Sequence, residues 1–218
     1  MRRHPWNVSV AEAYAIQDGL KKYILREDRC REISTIGGVD VAYALSKGKA
    51  CCVISIFSYP DMELQSNTCF SGDICFPYIP GLFTFREGPL IQHAYERLET
   101  VPDLLIFDGQ GICHPRGIGI ATHMGIYLDI PSIGCAKSHL FGTYDEPGPV
   151  RGNRSPVYSG RDIIGCVLRT RDFTRPVFVS QGHGVSLETS ITVCLACCLG
   201  YRIPEPVRMA HMVANKSI

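Results

Sequence analysis

The stretch from Asp103 to Lys137, DLLIFDGQGICHPRGIGIATHMGIYLDIPSIGCAK, decides the fold class of this chain. Its first part, DLLIFDG, and its last part, IPSIGCAK, are short apolar runs that predict two strands. Between them, GIATHMGIYLD (residues 119–129) predicts a helix. Strands that alternate with helices along a chain are typical of the α/β class.

The flanking sequence extends this unit into a larger sheet. Upstream, the runs at 33–44, 49–59 and 62–73 predict three strands that are separated by the turn signals SKGK and SYPD, which is typical of an antiparallel meander. Downstream, two more strand-like runs occupy 161–170 and 175–183. We therefore expect an α/β fold with a mixed central sheet, in which three antiparallel strands precede parallel α/β units and helices flank the sheet.

Helix signals accompany the strands. VSVAEAYAIQDGLKKYIL near the N-terminus has Ser9 three residues before Glu12, the spacing of a capping box. LIQHAYERLE predicts a second helix, and Gly88–Pro89 is interpreted as its entry because proline is favoured at the first helical position. SLETSITVCLACCLGYRI (186–203) predicts a closing helix.

Composition indicates one globular domain over residues 1–218. Hydrophobic residues make up 45% and charged residues 20% of the 218, the balance of an ordinary folded protein. No run approaches the ~18 apolar residues of a membrane span, and the basic N-terminus has no apolar segment behind it, so we expect a cytoplasmic protein without a membrane partner. The net charge of +1 does not identify a partner.

Eleven cysteines are many for a chain of this length. They lie within strand-like and helical apolar runs, where free cysteine behaves as a small hydrophobic residue. CLAC (194–197) has the spacing of a metal knuckle, but no second Cys/His pair is placed to complete a tetrahedral site. We interpret the cysteines as core residues, with a thiol-based sensor as a remote alternative.

Acidic residues interrupt two of the expected strands. Asp40 stands inside GGVDVAY and Asp108 ends LLIFD, where an unpaired charge would cost several kcal/mol. If the two strands are neighbours, Asp40, Asp108 and Glu87 converge into an oxygen-rich site suited to Mg²⁺ or Mn²⁺. The alternatives are that Asp108 starts a turn, Asp40 pairs with an arginine and Glu87 is a surface acid at a helix start.

Six motifs carry a family resemblance. GGVDVAY, PYIPGLFTFREGP, DLLIFDGQGICHPRGIGIATHMGI, IGCAKSHLFG, RPVFVSQGHGVSLETS and YRIPEPVRMAH occur in this order. Their order and spacing resemble endonuclease V, a family of deoxyinosine-directed repair nucleases in the RNase H-like superfamily. The resemblance runs from about residue 5 to the C-terminus, essentially the whole chain.

This resemblance implies an RNase H-like fold and a Mg²⁺-dependent nuclease in which Mn²⁺ can substitute. It implies a nick at the second phosphodiester bond 3′ to a deaminated base, which leaves 3′-hydroxyl and 5′-phosphate ends. The expected partner is DNA that contains deoxyinosine, and the protein is expected to be a monomer. An inosine-directed ribonuclease and an inosine-binding protein that does not cut are the alternatives.

The resemblance also implies roles for individual residues. The expected metal ligands are Asp40, Glu87 and Asp108, and the catalytic set adds Lys137 and His183. Tyr78 matches the family's wedge beside the lesion. The residues expected to contact the nucleic acid or the everted base are Tyr78, Ile79, Pro80, Gly81, Gly109, Gly111 and His114.

The sequence departs from the family pattern at four positions. Gly117, Ser138 and Gly184 stand where family members often have basic residues, which implies fewer phosphate contacts. Gln181 stands where proline is common, and this bears on the placement of His183.

Overall fold

One mixed β-sheet organises the protein in a computed structural model that describes residues 2–30 and 32–218. Within these residues the sheet has eight strands in the order β3-β2-β1-β4-β5-β8-β7-β6. The strands are Thr35–Ala44 (β1), Lys49–Ser58 (β2), Leu64–Asp73 (β3), Leu104–Phe107 (β4), Ser132–Ala136 (β5), Arg154–Ser159 (β6), Asp162–Leu168 (β7) and Val177–His183 (β8).

The pairing of the strands confirms the expected mixed α/β fold. β1, β2 and β3 form an antiparallel meander. β4 then pairs in parallel with β1, and β5 pairs in parallel with β4. β6, β7 and β8 extend the far side as antiparallel strands. Parallel pairing is therefore confined to the centre of the sheet, where the carboxyl ends of β1, β4 and β5 reach the same edge.

The described part of the chain also has five α-helices. They are Val10–Leu20 (α1), Phe83–Tyr95 (α2), Ile120–Leu128 (α3), Leu187–Ala196 (α4) and Glu205–Lys216 (α5). Side chains of alternate strand positions fill two main cores, one between the sheet and α2 and α3, the other between the sheet and α4 and α5. The sheet is thus the middle of three layers.

The start of α2 differs from the sequence interpretation. The helix begins at Phe83 and carries Pro89 in its interior, so Gly88–Pro89 is not a helix entry. Gly88 has a packing role instead, because a Cβ there would lie 2.4 Å from the ring of Trp6. The Trp6 indole also donates a hydrogen bond to Gln92 Oε1 (2.7 Å), which fixes the N-terminal segment against α2.

The C-terminal helices also differ from expectation. α4 ends at Ala196 and not near residue 203, and Gly200 in the following turn has φ +76°, which suits glycine. α5 follows, with Pro204 at its N-cap. Sequence reasoning assigned no element to α5 or to β6, although the motif YRIPEPVRMAH contains the first half of this helix.

All eleven cysteines carry free thiols, and eight of them are buried. Burial raises the pKa of the thiols of Cys113 and Cys166 to about 11. Such thiols are poor nucleophiles at neutral pH, as expected of core residues. Within the described residues, none of the helices combines the length and apolarity required to span a membrane.

Candidate active site

Asp40 and Asp108 lie side by side at the carboxyl edge of the parallel strands. The pairing of β1 with β4 ends at Val39 and Phe107. Asp40 is the next residue of β1, and Asp108 is the first residue after β4. The Asp108 N–H donates to the Val39 carbonyl (3.2 Å), which continues the ladder by one step. The parallel register therefore brings the two carboxylates together, as the sequence pattern predicted for neighbouring strands.

His211 reaches the same edge from α5. Its Nδ1 lies 2.8 Å from Asp40 Oδ2, and Asn215 one helical turn later lies 3.1 Å from its Nε2. Gly38 allows this approach, because a Cβ on Gly38 would lie 2.0 Å from the carbonyl carbon of Pro206. The absence of a side chain on β1 thus lets the start of α5 lie directly on the strand.

The three residues form a group that could hold a metal ion. One ligand atom each from Asp40, Asp108 and His211 lies within 4.8 Å of the others. Two carboxylates and one imidazole suit a divalent cation, with carboxylate oxygens preferred by Mg²⁺ and Mn²⁺. The donor set therefore fits the cation that the sequence analysis expected, with His211 as an additional donor.

The electrostatics of the carboxylates agree with this fit. Burial raises the pKa of Asp40 to about 6, with a further contribution from the charge of Asp108 and an opposing one from the hydrogen bond with His211. Two neighbouring carboxylates in a partly desolvated site are stabilised by positive charge. A cation at the cluster would supply that charge.

Lys137 supplies one positive charge already. It follows β5, and its ammonium forms an ion pair with Asp108 Oδ2. The Lys137 backbone carbonyl accepts a hydrogen bond from Arg202 Nη2 (2.5 Å), so the main chain beneath the lysine is held in place. The ammonium thus lies between the acidic cluster and solvent.

Glu87 lies next to the cluster but outside the group of three. It projects from α2, is only 6% exposed, and accepts a hydrogen bond from the Tyr43 hydroxyl (2.6 Å). Burial raises the pKa of Glu87 to about 8, opposed by the hydrogen bond from Tyr43 and reinforced by the charges of Asp40 and Asp108. Tyr43 therefore holds this carboxyl group at the wall of the site.

A cavity of about 540 Å³ opens onto these residues. One wall is the connection between β3 and α2, which we call the wedge loop (residues 77–82), and it includes Tyr78, which is 68% exposed. The opposite wall belongs to the segment after β4, which we call the histidine loop (residues 109–118). Of the residues expected to contact the nucleic acid, six line the cavity: Tyr78, Ile79, Pro80, Gly81, Gly109 and His114.

His114 presents one defined nitrogen to the cavity. Its Nδ1 accepts a hydrogen bond from the Arg116 backbone N–H (3.2 Å), so the proton of the neutral ring resides on Nε2. Burial, together with the neighbouring charges of Arg116 and Lys21, lowers the pKa of His114 to about 4. At neutral pH, His114 is therefore a neutral hydrogen-bond donor through Nε2.

The structure does not bring His183 to the cluster, in contrast to the sequence interpretation. His183 ends β8 and pairs with Ser132 at the start of β5, whereas Lys137 follows the other end of that strand. The five residue steps from Ser132 to Lys137 along β5 correspond to about 16 Å. The Leu25 N–H donates a hydrogen bond to His183 Nδ1 (3.4 Å). Burial lowers the pKa of His183. This histidine belongs to the opposite edge of the sheet.

Gly111 also has a different place from the one expected. It is not among the residues that line the cavity in the described structure. A Cβ on Gly111 would lie 2.0 Å from the Gln181 carbonyl oxygen, and the Gly111 N–H donates to Ser180 Oγ (2.9 Å). This glycine lets the histidine loop pack against β8.

The structure shows the backbone conformation or the contacts of the four residues that depart from the family pattern. Gly117 and Gly184 have φ +67° and +62°, a backbone conformation that favours glycine over a basic residue. Gln181 is buried and donates to the Arg26 and Val185 carbonyls (3.0 and 3.2 Å), bonds that proline cannot form. Ser138 lines the cavity.

Sequence reasoning missed His211 and Tyr43. His211 had one signal, since a helix start at Pro204 with Glu205 and Arg208 one turn apart predicts α5, and His211 follows on it. Tyr43 had no local signal, because its contact with Glu87 joins a strand to a helix 44 residues later.

Comparison with known proteins identifies extensive similarity. A family model described as Endonuclease V matches residues 18–212. Endonuclease V from Dictyoglomus turgidum is 47% identical over 207 residues, which cover 95% of this chain and 90% of that protein.

Solved structures show the same relationship in three dimensions. Endonuclease V from Bacillus subtilis is similar with a TM-score of 0.94 and 30% identity, over 98% of this chain and 94% of that one. Endonuclease V from Ciona intestinalis, solved with a 24mer DNA containing an inosine followed by a ribo-adenosine, has a TM-score of 0.85 and 26% identity, with 95% and 97% of the chains covered.

Proposed function

Because the chain belongs to the endonuclease V family, we propose that it is a metal-dependent DNA repair endonuclease that acts on deoxyinosine. It nicks the strand at the second phosphodiester bond 3′ to the lesion and leaves 3′-hydroxyl and 5′-phosphate ends. The related protein from Ciona intestinalis was solved with inosine-containing DNA, which supports this substrate.

One observation carries the proposal. The acidic cluster and the exposed Tyr78 of the wedge loop face the same cavity of about 540 Å³. A nuclease that selects a damaged base needs a pocket for the base and a site for the phosphate within reach of each other. This chain has candidates for both in one cavity.

In the proposed mechanism, Asp40, Asp108 and His211 would hold the cation, and Glu87 lies at the edge of the cluster, fixed by Tyr43. A bound Mg²⁺ or Mn²⁺ would activate a water for in-line attack and would neutralise charge on the leaving oxygen. His183 is not included, because it lies at the other edge of the sheet.

Lys137 stabilises the phosphate. Its ammonium is partly exposed and pairs with Asp108, so it can also contact a phosphate oxygen at the mouth of the site. During hydrolysis the water oxygen bonds to phosphorus, the bond from phosphorus to the 3′ oxygen breaks, and that oxygen takes a proton. The lysine charge opposes the negative charge that builds up on the phosphate.

The wedge loop and histidine loop receive the base. Tyr78 replaces the stacking that is lost when a base leaves its neighbours, since its ring is exposed and its backbone is flanked by Pro77 and Pro80. His114 Nε2–H donates a hydrogen bond to an acceptor of the base, for which O6 of hypoxanthine is suited.

The test uses end-labelled DNA and RNA strands that each carry one inosine, incubated with the protein in Mg²⁺ and in EDTA. We expect one Mg²⁺-dependent nick in the DNA at the second bond 3′ to the inosine. Exclusive cutting of RNA would support the ribonuclease alternative, and tight binding without any cut would support the inosine-binding alternative.

A matched pair of variants tests the role of the acidic cluster in the same assay. Asp108→Asn should abolish the nick and keep binding of the inosine strand in Ca²⁺, because it removes the carboxylate charge from the cluster without changing the cavity shape. Asp162→Asn, at an exposed aspartate on β7, should cut like the wild type. Mg²⁺-dependent nicking by Asp108→Asn would refute the assignment.

A further inference from the structure

Gln17 of α1 is completely buried between the two loops that form the cavity. It is not a cavity-lining residue, and the motifs that indicated function do not include it. A fully buried amide must satisfy both of its polar ends, so its partners define what it does.

The two ends of this amide bind to different loops. Gln17 Nε2 donates to the Gly81 carbonyl of the wedge loop (2.7 Å). Gln17 Oε1 accepts from Arg116 Nε of the histidine loop (2.9 Å). One side chain therefore joins the two walls of the cavity, and its donor and acceptor cannot be exchanged.

On the wedge-loop side, the bond fixes a whole peptide unit. Gly81 has φ +84°, and the Leu82 N–H of the same peptide donates to the Ile79 carbonyl (3.0 Å). With the Gly81 carbonyl bound to Gln17, both polar groups of this peptide are held. The loop that carries Tyr78 is thereby anchored at its C-terminal end.

On the histidine-loop side, the bond holds Arg116 together with other contacts from α1. Arg116 Nη2 donates to the Tyr14 carbonyl (3.2 Å) and to Asp18 Oδ2 (2.6 Å). The Arg116 backbone N–H in turn sets the ring of His114. A Cβ on Gly81 would lie 3.7 Å from His114 Nε2, so the anchored parts of both loops meet at one point of the cavity.

We propose that Gln17 is a positioning residue that sets the spacing between the wedge loop and the histidine loop, and thereby the fit of the cavity to an everted purine base such as hypoxanthine. The inference rests on the proposed function, because it assigns this cavity to the base. Glutamine suits the position since it offers one donor and one acceptor, whereas glutamate offers two acceptors and would face the Gly81 carbonyl with an oxygen.

Two substitutions test the inference. Gln17→Glu keeps the bond to Arg116 and loses the bond to Gly81, while Gln17→Met keeps the volume and loses both. For both variants we expect KM for the inosine strand to rise about tenfold, with kcat within about twofold. We also expect the affinity ratio between inosine and adenosine strands in Ca²⁺ to fall about tenfold.

Gln65→Glu is the matched control. It makes the same amide-to-carboxylate change at an exposed position of β3 and leaves both bonds of Gln17 intact. Its KM and its affinity ratio should stay within about twofold of the wild type. Unfolding temperatures of all variants are recorded, since a loss of folded protein lowers the activity on every strand and leaves the ratio unchanged.

The outcomes separate this inference from the function on which it rests. A wild type that neither cuts nor prefers inosine strands overturns the proposed function and the inference together. A wild type that cuts inosine strands, with Gln17 variants whose affinity ratio is unchanged, overturns the inference alone. Failure of both variants to fold would assign Gln17 a purely structural role and would also overturn it.

Discussion

The positions of two histidines, His211 and His183, determine which of them can act at the acidic cluster. His211 lies 2.8 Å from Asp40 and is half-exposed, whereas His183 is buried at the other edge of the sheet against the Leu25 main chain. Both imidazoles are competent metal ligands and proton carriers in isolation. Their positions make His211 the candidate metal ligand and give His183 a packing role.

Substitution of His211 should therefore affect cleavage more than folding. We expect His211→Ala to lower the Mg²⁺-dependent rate on an inosine strand at least about tenfold, since it removes a donor that also holds Asp40. The unfolding temperature should change little, because the imidazole is half-exposed. Single-turnover cleavage and thermal unfolding measure the two effects.

His183→Ala is the contrasting variant. It creates a buried gap, so we expect a lower unfolding temperature and a cleavage rate per folded molecule within about threefold of the wild type. A loss of rate in His183→Ala that equals that in His211→Ala would contradict the assignment.

At the scale of elements, α5 is the part that completes the acidic cluster. The helix contacts β1 at Gly38, where the Pro206 main chain occupies the space that a side chain would need. The position of His211 therefore depends on a glycine in a strand that precedes the helix by more than 160 residues.

Gly38→Ala should displace α5. The added methyl group would lie 2.0 Å from the Pro206 carbonyl carbon, so we expect a loss of about 1–3 kcal/mol in the free energy of unfolding. Because His211 moves with the helix, the Mg²⁺ concentration for half-maximal cleavage should rise as well. Urea denaturation and a Mg²⁺ titration measure both.

Gly19→Ala is the matched glycine control. Gly19 lies inside α1 and has no atom within 4 Å of its Cβ position. Alanine there should stabilise the protein by about 0.5–1 kcal/mol, because it restricts the unfolded chain and favours helix. Equal destabilisation by both substitutions would contradict the close-approach argument for Gly38.

Elements with local signals could be predicted from the sequence. The capping box holds in the structure, where Ser9 Oγ accepts from the Glu12 N–H and the Ser9 N–H donates to Glu12 Oε2. The strands of the meander were predicted within one or two residues at most ends, because strand-like runs bounded by turn residues depend only on neighbouring residues in the chain. The mixed sheet followed from the order of these elements.

The start of α2 was mispredicted because its signal came from tertiary packing. In the sequence, Gly88 is typical of a helix boundary. In the structure, the position needs glycine because the ring of Trp6, more than 80 residues earlier in the chain, packs against it. The proximity of Asp40 and Asp108 was predictable from two strand ends. The contact of His211 with Asp40 joins residues 171 positions apart and has no local pattern.

At the scale of the whole molecule, the N-terminal segment couples folding to pH. His4 Nε2 lies 2.7 Å from His123 Nε2, among the rings of Trp6, Phe85 and Tyr127. His123 is fully buried, and its Nδ1 has no hydrogen-bond partner in the described residues. Burial lowers the pKa of both histidines.

This pair should destabilise the protein in mild acid. Below pH ~6.5 the unfolded chain binds protons at both histidines while the folded protein does not, so stability falls as pH falls. Each histidine contributes a slope of up to about 1.4 kcal/mol per pH unit until its folded pKa is reached. Urea denaturation of the wild type and His123→Leu between pH 7.5 and 5 should show a shallower slope in the variant.

The comparison of variants separates the effect of the histidines on stability from the effect of acidic groups, whose pH dependence has the opposite sign. Asp40 and Glu87 have raised pKa values in the folded protein, and their stability contribution is lost as pH rises. Ile133→Val, in the core away from the pair, should lower stability by about 0.5–1.5 kcal/mol at every pH. An unchanged slope in His123→Leu would contradict the linkage.

The distance along the chain between Asp40 and His211 has a consequence for synthesis. Asp40 belongs to the first strand and His211 to α5, so a growing polypeptide can fold much of its sheet before the last of the three clustered side chains has been translated. A nascent chain that stops before residue 211 lacks one of the three side chains that could hold a metal ion. Under the proposed function, we therefore expect cutting activity to appear only after α5 has been translated, when the fold is nearly complete.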